Sequence, residues 1–240
     1  MHIMFMIFIL VLVYFSSLII MCIYRDKINI DIANATFIIL IFASFATLNI
    51  HYFRNGGLKD FMTLDNISPL TFTLAPLSYV MNEKIKKCYF SMVAFLSFGM
   101  FVAMLVNPNY AYLFSFKQNA TLDYAYDSIS HLFCSLFGIF LVISGQIKIK
   151  PKNLLYSMIF VYSIVTYGVI LNIIFHKSNF GMNPYGKASI YMFDFFSNFY
   201  VTLIAYYFGI AVVLIIGYQL TYFLDKASKH ILHEENNKPV

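Results

Sequence analysis

Residues Ile3–Tyr24 read IMFMIFILVLVYFSSLIIMCIY, a run without a charge, a proline or a glycine. A helix needs roughly 20 consecutive apolar residues to cross about 30 Å of hydrocarbon, and this run meets that length. It is too long for the apolar core of a cleaved signal peptide, lacks a basic region ahead of it, and has no small-residue cleavage pattern behind it. The expectation is therefore a retained membrane helix at the start of the chain.

Working outward, five further runs approach or exceed spanning length: Ala33–Phe53, Cys88–Val106, Ile129–Gln146, Leu154–Phe175 and Phe196–Leu224. A seventh stretch, Ile67–Met81, differs from these. It is short, carries Ser68, Thr71, Thr73 and Ser78, and is interrupted by Pro69 and Pro76. It reads either as a kinked third span or as a re-entrant segment. Lipid cannot satisfy the peptide groups that proline leaves unpaired, so this segment is expected to lie centrally, against other helices or a wet cavity.

The whole chain agrees with this pattern. Of its 240 residues 60% are hydrophobic and only 11% charged, against about 25% charged in soluble domains. The expected fold is all-α: one polytopic bundle of about seven transmembrane helices over residues 1–225, followed by a short polar tail, 226–240. No soluble catalytic domain fits beside it. The net charge of +5 comes mostly from Lys and Arg beside the apolar runs. That placement suits anionic lipid head groups, and membrane lipids rather than nucleic acid are the expected partners.

Basic residues also orient the chain. Lys84, Lys86 and Lys87 flank one connection, Lys148, Lys150 and Lys152 another, and Lys226 and Lys229 follow the last run. The excess of positive charge in cytoplasmic loops puts these sites on the cytoplasmic side of the cell membrane. With seven spans the N-terminus lies outside, the C-terminus is cytoplasmic, and Arg25 and Lys27 join the inner set. With a re-entrant third segment, Arg54 and Lys59 take their place. The longest connections, Asn107–Ser128 and His176–Phe195, lie outside in both cases.

The spacing most suggestive of chemistry is Asp127, His131, Cys134, Ser135 and Gly138, which puts these residues near one helix face. A carboxylate one turn before a histidine can orient its imidazole, and a Ser or Cys one turn later can act as nucleophile. The plainer alternative has Asp127 capping a helix, His131 at the interface and Cys134 packing as a small hydrophobe. A second group gathers at span ends: Asn49 and His51, Asn172 and His176, Asp194 and Asn198. These either converge on an outward-facing polar pocket that binds substrate or are polar because head groups begin there. Cys22, Cys88 and Cys134 are far apart and form no CxxC pair. No metal is expected, and no cofactor, since the sequence carries no metal-binding histidine pair, phosphate-binding loop, serine-hydrolase elbow or dinucleotide fingerprint.

From Asn66 to Leu224 the order of short motifs resembles the YwaF-type bacterial membrane proteins, relatives of transmembrane protein 164, a phospholipid acyltransferase. The motifs are Leu74-Ala75-Pro76-Leu77-Ser78, Asn107-Pro108, Ser130-His131-Leu132, then Asn172 and Ser178-Asn179-Phe180. The resemblance implies a helical membrane fold, acyl modification of phospholipids with His131 as general base, and Asn179 beside Asn172 at the substrate. That family reads Pro-Leu-His-x-Cys in its broken segment, whereas this chain has Ser78 and Val80 at the His and Cys positions. A thioester route through that cysteine is closed here, leaving Ser78 or Cys134 as the nucleophile the resemblance allows. Two other classes stay open on the sequence: a transporter or receptor for a small ligand built around the broken segment, and a non-catalytic membrane subunit.

Overall fold

The computed structural model describes residues 2–56, 67–114, 120–175 and 199–236. The described residues form seven α-helices and no strand: α1 His2–Ile23, α2 Ile30–Gly56, α3 Ile67–Leu77, α4 Glu83–Phe114, α5 Ala120–Ile143, α6 Pro151–Phe175 and α7 Phe199–Asn236, with a single 3-10 turn at Arg25–Lys27 between the first two. Six of them, all but α3, are long and apolar enough to cross a membrane. The protein is a helical polytopic membrane bundle. α7 continues as helix through much of the polar tail, to Asn236.

Local chemistry sets the helix ends. The Asn29 side chain accepts hydrogen bonds from the N–H groups of Asp31 and Ile32 at 3.0 and 3.1 Å, and Asn82 accepts from Ile85 at 2.9 Å. Each supplies a partner for a donor that a helix start leaves free. α5 is followed by Gly145 at φ 73°, a left-handed conformation that costs glycine little.

The centre of the bundle is the antiparallel pair α4 and α5. Ser135 on α5 donates to the Ser97 carbonyl on α4 at 2.7 Å, and Gly138 sits against Val93 and Ser97. α2 packs antiparallel to α5: Asn34 pairs with Gln146 at one end, and Ser130 meets Ser44 nearer the other. α7 runs antiparallel to α4, with Gly217 on Phe95 and Val213 on Gly99. Phe5, Phe8, Leu12 and Phe15 of α1, Ile159 and Ile170 of α6, and Ile204 and Phe208 of α7 are exposed. An apolar exterior is the surface that hydrocarbon solvates.

These directions decide how the third segment runs. α2 and α4 are both antiparallel to α5, so they are parallel to each other. The chain between Gly56 and Glu83 therefore returns from one end of the bundle to the other, which a re-entrant segment does not do. α3 completes that return. Its 11 residues rise about 16 Å, roughly half the hydrocarbon thickness. Arg25, Lys27, Lys84, Lys86, Lys87, Lys148, Lys150, Lys152 and Lys226 all belong to the end where α1, α3, α5 and α7 finish.

α3 is less central than its prolines suggest. Pro69, Thr71, Phe72 and Ala75 are buried, while Leu70, Thr73 and Leu74 are only partly covered, so the helix lies on the flank of the bundle. Hydroxyl groups take up several of its carbonyls. Thr71 and Thr73 donate to the carbonyls of Ile67 and Pro69, each at 2.8 Å, and the buried Tyr89 hydroxyl of α4 donates to the Thr71 carbonyl at 2.9 Å. Pro69 falls in the first turn, where a helix N–H has no intrahelical partner, whereas Pro76 in the last turn removes the bond that the Phe72 carbonyl would otherwise accept.

Two measurements check this architecture. In a chain freed of native cysteines, Asp26→Cys, Asn82→Cys and Lys150→Cys react with a membrane-impermeant thiol reagent from one side and Arg54→Cys from the other; Asn82 and Arg54 labelling together from one side contradicts the crossing. A methyl at Gly217 runs into the Phe95 carbonyl, whereas at Gly99 it meets a movable Val213 methyl at 3.0 Å. Gly217→Ala is expected to lose about 1–3 kcal/mol of stability in thermal unfolding, with Gly99→Ala costing less.

Candidate functional site

His131 lies on α5, six residues beyond Ala125 where the apolar span begins, which is roughly 9 Å along the helix. The residue is buried, at 5% exposure. Nδ1 is 2.8 Å from the Asp127 backbone carbonyl and 3.4 Å from Asp127 Oδ1, so both atoms facing it are acceptors. Nε2 is 3.0 Å from Ser68 Oγ on α3. The edge of Phe72, one turn further along α3, meets the imidazole with ring centroids 5.2 Å apart and planes at 88°.

This surrounding assigns the protons. With acceptors on one side, Nδ1 carries the hydrogen, and Nε2 is left with a lone pair facing a hydroxyl. Ser68 Oγ also lies 3.6 Å from Met100 Sδ on α4, but thioether sulfur is a weak acceptor and the hydroxyl has one hydrogen, which goes to the imidazole. Ser68, His131 and Asp127 thus line up as hydroxyl, imidazole and carboxylate, the order in which a serine nucleophile, its base and the orienting acid are arranged. Ser68 is half-buried where α3, α4 and α5 meet, in the first turn of α3. A helix start presents backbone N–H groups and a positive dipole end, which favour negative charge on a neighbouring oxygen.

The other residues singled out by spacing fall elsewhere. Ser78 lies beyond the far end of α3, about 15 Å from Ser68 by helix rise, and its hydroxyl donates to the Ala75 carbonyl at 2.6 Å. Cys134 is 1% exposed and packs in the apolar core. Ser135 bridges to Ser97 and to the Tyr14 hydroxyl, 3.2 Å away. The histidine is thus brought to Ser68 and Asp127, and not to Ser78 or Cys134. Asn172 belongs to α6, but its side chain lies outside the described residues, as do His176, Asn179, Asp194, Asn198 and the side chain of His51.

Ser68 is the site residue that spacing alone did not single out. Its contact spans 63 positions of sequence, beyond the reach of any helical periodicity. The available signal was its place immediately before Pro69, which marks a helix start inside a polar, proline-bounded stretch.

Compared with known proteins, the chain matches no protein-family model, no curated protein and no solved structure.

The proton assignment is directly measurable. Solid-state nitrogen NMR of the protein in bilayers should find His131 protonated on Nδ1 and unprotonated on Nε2. A neutral ring protonated on Nε2 contradicts the Ser68 contact as described.

Proposed function

We propose that this chain is a membrane-embedded acyl-transfer enzyme acting on the ester-linked chains of membrane lipids. Ser68 is the nucleophile, His131 the general base, and Asp127 the carboxylate that holds the imidazole in place. The observation that carries this reading is the alignment of Ser68 Oγ, His131 Nε2 and Nδ1, and Asp127 Oδ1 at 3.0 and 3.4 Å. A buried histidine within a span is costly and marks a functional site by default. This one has its free nitrogen on a hydroxyl that is only partly covered.

The chemistry runs in two halves. Ser68 Oγ attacks the carbonyl carbon of a lipid ester as His131 Nε2 takes its proton. The ester's C–O bond then breaks, and the departing alcohol oxygen takes the proton from His131. An acceptor hydroxyl next attacks the acyl-Ser68 ester, gives its proton to His131, and restores the Ser68 hydroxyl. No nucleotide is required, because one ester bond is exchanged for another.

Location supports a lipid substrate. The partly covered α3 lies on the flank of the bundle, where lipid can approach, and because His131 is roughly 9 Å inside the start of its apolar span, a lipid ester carbonyl must reach that far below the head-group boundary. The basic residues gather at the opposite end of the bundle, so by the rule that positive loops stay in the cytoplasm the site belongs to the outer leaflet. The resemblance to YwaF-type proteins points to the same class of chemistry, although that family's cysteine position is Val80 here, beyond the opposite end of α3 from Ser68.

The test is acyl-chain exchange by purified protein in liposomes of mixed phospholipids. Ser68→Ala and His131→Ala should each abolish exchange, and Asp127→Asn should lower its rate while leaving some activity. Ser78→Ala and Cys134→Ala should retain it. If the native chain exchanges nothing across a broad set of lipids, acyl transfer is wrong and a transported ligand or partner protein becomes the reading to pursue.

A further inference from the structure

Met100 of α4 lies beside the Ser68 hydroxyl, with Sδ 3.6 Å from Oγ. The helix register agrees with that contact. Ser135 of α5 donates to the Ser97 carbonyl of α4; one turn on from Ser97 is Met100, and one turn back from Ser135 is His131. In antiparallel helices the thioether and the imidazole therefore fall level. The Ser68 hydroxyl stands between two acceptors, His131 Nε2 at 3.0 Å and the Met100 sulfur.

The imidazole holds the hydrogen because thioether sulfur is a weak acceptor. That balance rests on the oxidation state of one atom. Oxidation turns a methionine into a polar sulfoxide, whose oxygen is a far stronger acceptor than the sulfur. Met100 is 4% exposed and belongs to the apolar core. An oxygen added to its sulfur would stand among apolar side chains unless it met the Ser68 hydroxyl, and a buried polar atom without a partner is costly. The hydroxyl that satisfies it must leave His131.

Ser68 also supplies the way in. Unlike Met100 it is only partly covered, on the flank of the bundle where lipid can approach. A lipid ester that bonds to Ser68 Oγ arrives beside the sulfur, and a small hydroperoxide dissolved in the bilayer reaches the sulfur by the same route.

We infer that Met100 is an oxidation site that governs the Ser68–His131 pair; the inference rests on the acyl-transfer reading. As a thioether it leaves the pair active, and as a sulfoxide it takes the Ser68 hydrogen and stops the chemistry. The oxidant is a hydroperoxide, ROOH. The sulfur lone pair attacks the terminal oxygen, the O–O bond breaks as the S–O bond forms, and the proton on that oxygen passes to the departing alkoxide, which leaves as ROH. Sulfur loses two electrons and the peroxide is reduced to an alcohol. With its hydrogen turned to the sulfoxide, Ser68 no longer has His131 as its general base.

The experiment treats purified protein in phosphatidylcholine liposomes with cumene hydroperoxide, which dissolves in the bilayer. It follows acyl exchange, Met100 oxidation by peptide mass spectrometry, helix content by circular dichroism and the His131 nitrogens by solid-state NMR. Exchange should fall at least about 100-fold, the scale of a lost general base, in step with Met100 sulfoxide and with helix content unchanged. The Nε2 signal should move to that of an unprotonated nitrogen without a hydrogen bond. Met100→Leu, close to methionine in volume, should exchange lipid before treatment and keep doing so after it. Exchange that survives full oxidation of Met100, that is lost while Met100 is unmodified, or that is lost as fast in Met100→Leu overturns the inference, as does a loss of helix content alongside. A native chain that exchanges nothing before treatment overturns the acyl-transfer reading. The Nε2 signal then judges Met100 separately: a shift on oxidation upholds its control of the pair, and an unmoved signal overturns it.

Discussion

Within hydrocarbon a peptide or side-chain polar group finds its partner inside the protein or goes without one. The architecture follows from that constraint. Long apolar helices satisfy their own backbones, and the two prolines of the third segment are confined to the ends of an 11-residue helix. Threonine hydroxyls and Tyr89 then take up carbonyls along it. Against that background, the few polar atoms that are deeply placed become informative. The His131 imidazole spends both nitrogens on polar partners from two helices, while Asn49 Oδ1 and Ser128 Oγ spend nothing.

Much of the fold was legible because spanning length is a property of sequence alone. The six long runs appear as helices, some starting at caps such as Asn29 and Asn82 and others extending well past the apolar run, as α5 does back to Ala120 and α7 on to Asn236. Whether Ile67–Met81 crosses or turns back was not legible, because charge balanced equally in both topologies. Helix direction, set by pairs such as Asn34 with Gln146 and Ser97 with Ser135, resolves it. The broken segment also lies nearer the flank than prolines alone suggest: one side of it, with Pro69, Thr71, Phe72 and Ala75, is buried, while Leu70, Thr73 and Leu74 are only partly covered.

The site was legible on one helix and hidden between helices. The Asp127–His131 spacing is an i, i+4 relation that any reading of α5 finds, and the two side chains do meet. Which hydroxyl faces the imidazole depends on how α3 is placed against α5. Periodicity carries no information on that, so Ser78 and Cys134 stood as the candidates and Ser68 was not singled out. A fold of this kind hosts many functions, and the case for acyl transfer rests on the Ser68–His131–Asp127 geometry rather than on the bundle.

The central claim, that Ser68 is a nucleophile activated by His131, predicts a covalent intermediate. Rapid acid quench of the protein with a phospholipid carrying an isotopically labelled acyl chain, followed by peptide mass spectrometry, should find that chain esterified to Ser68 in the native protein and absent in His131→Ala. An acyl chain on Cys134 or Ser78, or an unmodified Ser68 while labelled chains are being transferred, would contradict the account.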